Sequence, residues 1–165
     1  MKKIQLLLAT ACWVLTFTVA SAQQKPSAVG TWKVDIAHSD FGSEAAPKSI
    51  TVTILKDTPQ MLSWRVNGVG AKGEPFSYSW SGPEDGSMHA VIVDGKAGGD
   101  MQGAKREQDG TLVRREENSD SSSFEARSMM SADGKTITEA TTSKSKDGKE
   151  SKQSYVYRRV SMPKA

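Results

Sequence analysis

Two histidines, His38 and His89, are the first side chains to weigh for chemistry. His38 opens the run His38-Ser39-Asp40, whose letters match a base, a nucleophile and an orienting acid. Working triads are assembled from distant segments, because chain neighbours rarely reach one another in the required geometry, so the run reads as a loop. The sequence has no G-x-S-x-G, H-E-x-x-H or C-x-x-C motif and no phosphate-cradling glycine signature; Gly98-Gly99 reads as a loop. Two separated histidines with scattered aspartates make a poor metal donor set. No catalytic residue, metal or cofactor is nominated. Near the end of the chain, Tyr155, Tyr157 and Arg159 fall on one face of a strand and Val156, Arg158 and Val160 on the other. The first trio could converge on a ligand; equally, the tyrosines could close a sheet seam while the arginines stay solvated. Arg114-Arg115-Glu116-Glu117 reads as a paired surface ladder.

The elements that must position these side chains are strands. Asp94-Gly95, Asp109-Gly110, Asp133-Gly134 and Asp147-Gly148 punctuate the second half of the chain, each followed by Lys or Thr. Such pairs tolerate the positive φ of tight hairpin turns. A calcium reading fails, because none has the D-x-D-x-D-G array of oxygen ligands. Between the turns, apolar and polar residues alternate with period two: Trp32, Val34, Ile36; Ile50, Val52, Ile54; Leu62, Trp64, Val66; Phe76, Tyr78, Trp80. About ten strands are predicted, near 31–36, 48–56, 61–68, 74–81, 87–93, 101–108, 111–117, 123–130, 135–143 and 151–160. Residues 43–48 could add one helical turn. The predicted class is all-β, an up-and-down antiparallel meander of about eight to ten strands, which must curl or close to protect its edges and so favours a barrel.

The two halves differ. Residues 31–93 carry most of the large apolar side chains, whereas 94–154 offer only Met101, Leu112, Val113, Phe124, Met129, Met130 and Ile137. Either this poorer wall faces a partly polar lumen, or it forms solvated hairpins projecting beyond a small core.

The N-terminus reads as an export signal: Lys2 and Lys3, a mostly apolar run from Ile4 to Val19, then Ala20-Ser21-Ala22 before polar Gln23. The run is shorter than the ~20 residues of a spanning helix. Cleavage after Ala22 is expected, with a linker over 23–29, one barrel domain over 30–160 and a tail over 161–165. Cys12, the single cysteine, lacks the upstream leucine of a lipoprotein site, and its loss with the signal leaves no disulfide. Removing residues 1–22 from 165 leaves 143, with 20 basic against 19 acidic side chains. With that balance and no basic stripe, nucleic acid and anionic lipid are poor partners, and no membrane span is expected in the mature chain.

Gly30-Thr31-Trp32, a G-x-W at the start of a β-meander, resembles the lipocalin-like (calycin) barrels, including their fatty-acid-binding-protein-like forms. Together with Ser39-Asp40-Phe41 and Pro47-Lys48-Ser49-Ile50-Thr51-Val52, it is similar to uncharacterised exported bacterial proteins of that architecture. The T-D-Y turn and the disulfides of typical lipocalins are absent, and Ala37–Pro47 is too short for a two-helix lid. The resemblance implies a ligand carboxylate held by an Arg and a Tyr of the last strand, here Tyr157 and Arg159 with Tyr155 beside them. It further implies a C-terminal arginine stacked on Trp32 at the closed end. Arg158 is the expected one, leaving Arg159 on the inner face. On this reading the chain is a periplasmic or secreted carrier of a small hydrophobic or amphipathic molecule; the alternatives are an interaction module of the cell envelope and an enzyme of unassigned type.

Overall fold

The computed structural model describes residues 26–161. The predicted export signal, the predicted cleavage after Ala22, Cys12 and residues 162–165 lie outside the described residues. Ten strands follow in order: β1 (Gly30–Val34), β2 (Ser49–Thr58), β3 (Met61–Val69), β4 (Pro75–Gly82), β5 (His89–Val93), β6 (Lys96–Arg106), β7 (Leu112–Glu117), β8 (Ser123–Met130), β9 (Thr136–Lys144) and β10 (Glu150–Ser161). Each pairs antiparallel with its neighbours in the chain, and β1 pairs with both β2 and β10, so the meander closes into a barrel. The architecture is consistent with a lipocalin-like fold. Closure leaves the sheet without a free edge.

The turns are built as their residues dictate. Asp94 and Gly95 both take positive φ, 48° and 78°, which is the two-residue type I′ turn joining β5 to β6. At Asp133-Gly134 the Gly134 N–H donates to Ser131 O, Gly134 takes φ 67°, and the Asp133 carboxylate accepts from Ser131 Oγ and Lys135 N. Asp147-Gly148 repeats the arrangement with Ser145. Each aspartate satisfies turn donors.

Three local expectations are corrected. The short helix is a 3-10 turn at Ile36–His38, ending β1 at Val34, and 43–48 is not helical. There, Ser39 N donates to Ile36 O and His38 N to Asp35 O, so the backbone turns before a further strand pair can form. Gly98-Gly99 lies inside β6 rather than in a loop, because the tight Asp94-Gly95 turn starts the return strand at Lys96. Arg114 and Glu116 point inward on the parity of Leu112, so of the four only Arg115, bonded to Glu125 at 2.9 Å, and Glu117 stay on the exposed face.

The large apolar side chains concentrate on β2–β5. Leu62, Trp64, Val66, Trp80, Val91 and Ala104 form the buried cluster, with Trp64 and Trp80 stacked 4.6 Å apart. β5 joins β4 through only Tyr78–Val93 and Ser79–Ile92. Trp80 Nε1 donates past it to Gln102 O on β6 at 2.8 Å, tying the sheet together across that thin seam. Among the described residues no helix is long and apolar enough to cross a membrane.

Candidate functional site: the barrel lumen

An up-and-down barrel sends alternate residues of every strand inward, and here the inward rows differ in chemistry. From β2, β3 and β4 come Ile50, Val52, Ile54, Leu62, Val66 and Phe76. From β7–β10 come Arg114, Ser128, Glu139, Thr141, Ser143, Gln153, Tyr155 and Tyr157, interleaved with apolar Leu112, Phe124, Met130 and Ile137. Between these walls lies a cavity of about 310 Å³, at the small end of the ~300–1,000 Å³ of ligand sites. The apolar-poor half of the sequence therefore lines a partly polar lumen, while its hairpin ends, including 93–99 and 144–150, stand exposed to solvent.

At the centre of the polar wall is a buried ion pair. Arg114 Nη2 donates to Glu139 Oε2 at 2.6 Å, and Ser128 Oγ donates to the same oxygen at 2.6 Å. Tyr157 Oη reaches Glu139 Oε1 at 3.3 Å. The guanidinium lies 5.3 Å from the Trp64 ring centroid and 5.8 Å from that of Phe124, so two aromatic faces flank it. Burial opposes the Arg114 charge, but Glu139 more than offsets it and the Arg114 pKa is raised. Behind the pair, Gln102 Nε2 donates to Glu116 Oε2 at 2.7 Å, and burial pushes the Glu116 carboxyl up from its usual range. The tyrosines respond to the same surroundings. Burial raises Tyr78 and Tyr155 to about 12 and Tyr157 well above its ordinary value. Tyr155 Oη donates to Gln153 Oε1 at 2.8 Å.

The base of the lumen is sealed at the β1–β10 seam. A register shift between Thr31 and Trp32 sets Arg159 opposite Trp32, and its guanidinium lies 4.1 Å over the indole. Arg159 donates from Nε to Gly134 O at 2.6 Å, from Nη1 to Val29 O at 2.7 Å and from Nη2 to Ser27 O at 2.7 Å. Trp32 Nε1 donates to Ala28 O at 2.8 Å, drawing residues 27–29 across the end. Gly30 takes φ 140°, and a Cβ there would stand 2.6 Å from Ser161 O and 3.0 Å from Arg159 Nη1. Only glycine fits this seam. Beside it, Arg106 bridges Asp57 at 2.7 Å and Glu84 at 2.5 Å.

The expected assignment of the two arginines is thus reversed. Arg159, not Arg158, stacks on Trp32. Arg158 faces outward, with Nε 3.1 Å from Asp35 Oδ2 and Nη1 3.2 Å from Thr136 Oγ1. The inner face runs Tyr155, Tyr157, Arg159 toward the base, so Arg159 arrives level with the indole while the tyrosines sit higher on the cavity wall. Tyr155 and Tyr157 line the cavity; Arg159 lies below it. Sequence reasoning missed Arg114 and Glu139, although each shares strand parity with an apolar residue that also faces the lumen, Leu112 and Ile137.

The opposite end carries the long connection 35–48. Asp40 and Ser154 exchange both backbone hydrogen bonds at 2.8 Å, and Phe41 packs edge-on against Tyr155 at 5.5 Å. In the run His38-Ser39-Asp40, His38 Nδ1 lies 2.9 Å from Asp35 Oδ2, whereas Ser39 Oγ donates to Asp35 O and accepts from Val156 N. The Asp40 carboxylate accepts from Gly42 N at 2.9 Å, so the three side chains anchor a loop and do not bond one another. Among the described residues no group of three or more His, Cys, Asp or Glu is arranged to hold a metal ion. The chain matches no protein-family model and no curated protein.

Proposed function

We propose that this chain is an exported, calycin-like barrel that carries a small hydrophobic or amphipathic molecule in its lumen. The observation that supports this most is the two-sided cavity: a mostly apolar wall from β2–β4 faces a mixed wall from β7–β10 whose polar groups centre on Arg114 and Glu139. An interior built only for stability is filled with side chains to crystal-like density, and a buried ion pair is a weak device for stability. A space that is left open and lined by a few converging polar groups is the pattern of a ligand site. Tyr155 and Tyr157 are the proposed ligand contacts among the C-terminal residues. Arg159, with Trp32 and Gly30, holds the floor against which a ligand rests.

The alternative of an interaction module has less support. The large exposed apolar residues Leu55, Met61, Val93, Met129 and Val160 fall on five different strands, and the closed barrel offers no edge for strand addition. Export rests on residues 1–22, and a periplasmic or secreted location follows from it.

Native mass spectrometry of the protein purified from its own cells tests the proposal. A mature chain beginning at Gln23 with a bound small molecule is expected. A chain retaining residues 1–22, or an acylated Cys12, would contradict the export reading. A lumen that never yields a bound molecule would contradict the carrier reading.

A further inference from the structure

We infer that the lumen is tuned for an electrically neutral ligand, and that Glu139 is the residue that turns anionic ligands away. This inference rests on the carrier reading and adds the class of head group. Every charged residue lining the cavity is already answered by another: Arg114 by Glu139 at 2.6 Å, and Arg106 by Asp57 at 2.7 Å. The further charges just behind this lining include two acids, Glu84 on Arg106 and Glu116 below Arg114, and a cation at the floor, Arg159, stacked on Trp32 and bonded to three carbonyls. A carboxylate entering the lumen would find both lining cations, Arg114 and Arg106, already neutralised and would stand beside Glu139 and Glu116 in a medium where charges are poorly screened. An ammonium would meet the converse obstacle in Arg114, already seated between Trp64 and Phe124.

A neutral head group meets no such cost. A guanidinium has five N–H donors, and among the described residues Arg114 uses Nη2 on Glu139, so an alcohol or carbonyl oxygen can accept from the remaining fork. Glu139 Oε1 holds only the long 3.3 Å contact from Tyr157, leaving lone pairs for a hydroxyl or amide N–H. Two other cavity-lining residues, Trp64 and Thr141, carry buried polar atoms, Nε1 and Oγ1, that have no hydrogen-bond partner among the described residues. With Gln102 Oε1 behind the lining also unpartnered among the described residues, three buried polar atoms around the lumen have hydrogen-bonding capacity left over. The ligand class is therefore an uncharged amphiphile with an aliphatic body and a hydroxyl, ester or amide head.

The test is competition against N-phenyl-1-naphthylamine, a neutral fluorescent probe, by four ligands of equal chain length: dodecan-1-ol, dodecanamide, dodecanoate and dodecylammonium, all below their aggregation limits. The alcohol and amide should displace the probe at concentrations at least about tenfold lower than either charged ligand, a difference set by one uncompensated charge. Glu139→Gln frees the Arg114 charge and should shift the ranking toward the anion, tightening dodecanoate about tenfold or more relative to dodecan-1-ol and giving dodecylammonium no gain. Equal displacement by dodecanoate and dodecan-1-ol in the unaltered protein would overturn the inference, as would a Glu139→Gln variant with unchanged ranking. If that variant does not fold, the ranking in the unaltered protein decides alone. Saturable probe binding without neutral selectivity sinks only this inference, whereas no probe binding at all sinks the carrier reading with it.

Discussion

The Arg159 guanidinium stacks 4.1 Å over the Trp32 indole while three of its N–H groups close on the carbonyls of Gly134, Val29 and Ser27. Strand β10, the turn before β9 and the segment entering β1 are thereby joined through one side chain. Arg159→Ala should cost roughly 2–4 kcal/mol, combining lost charge-assisted hydrogen bonds with the cation–π contact. Arg158→Ala, which removes an exposed pair with Asp35, should cost less than about 1 kcal/mol. Denaturant unfolding of the two variants checks the contrast, and equal losses would contradict the assignment of Arg159 to the seam.

Gly30 belongs to the same seam. At φ 140° a Cβ would strike Ser161 O and crowd Arg159 Nη1. Gly30→Ala should destabilise by about 1–3 kcal/mol. Combined with Arg159→Ala the cost should be less than the sum, because the added methyl and the guanidinium compete for the same space. A double-mutant cycle measures this coupling, and full additivity would contradict it.

All three tyrosines of the chain line the lumen. Burial holds Tyr78 and Tyr155 at about 12 and Tyr157 well above its ordinary value. These acids are raised on folding, so their contribution to stability is intact below the ordinary tyrosine pKa of about 10 and is lost as pH rises from there toward about 12. A spectrophotometric titration of the folded protein should show no phenolate near pH ~10, followed by ionisation together with unfolding. A tyrosine that titrates freely near pH ~10 in folded protein would contradict the lumen geometry.

The Arg114–Glu139 pair should be costly to break and cheap to replace. Arg114→Met or Glu139→Leu alone leaves a buried charge without its partner and should cost about 3–5 kcal/mol, whereas the double variant should recover most of that loss. Unfolding free energies of the four proteins measure it, and a double variant as unstable as the sum of the singles would contradict the pairing.

Much of the barrel was legible in the residue pattern, because period-two alternation and Asp-Gly turns are local signals. The strand pairs followed from them, and Gly30 and Trp32 marked the seam with β10. What escaped was the inner face of β7 and β9. Leu112 and Val113 are adjacent and both apolar, so parity on β7 was ambiguous and Arg114 read as a surface residue; on β9, Ile137 marked the inner face, but polar Glu139, Thr141 and Ser143 obscured it. The choice between Arg158 and Arg159 depended on the register shift at Thr31–Trp32, which has no signature in the sequence. The order Tyr155, Tyr157, Arg159 along the inner face was correct, but which member reached the indole depended on where the seam closed.

The central claim is that the lumen is a binding site. Titration of the protein with N-phenyl-1-naphthylamine, read by probe fluorescence, tests it when repeated on Ser143→Trp, which places an indole among the cavity-lining residues without altering the Arg114–Glu139 pair or the Trp32 seam. The account predicts saturable one-to-one binding that this substitution abolishes while the fold, judged by far-ultraviolet circular dichroism, persists. Absence of saturable binding, or binding that survives Ser143→Trp undiminished, would contradict it.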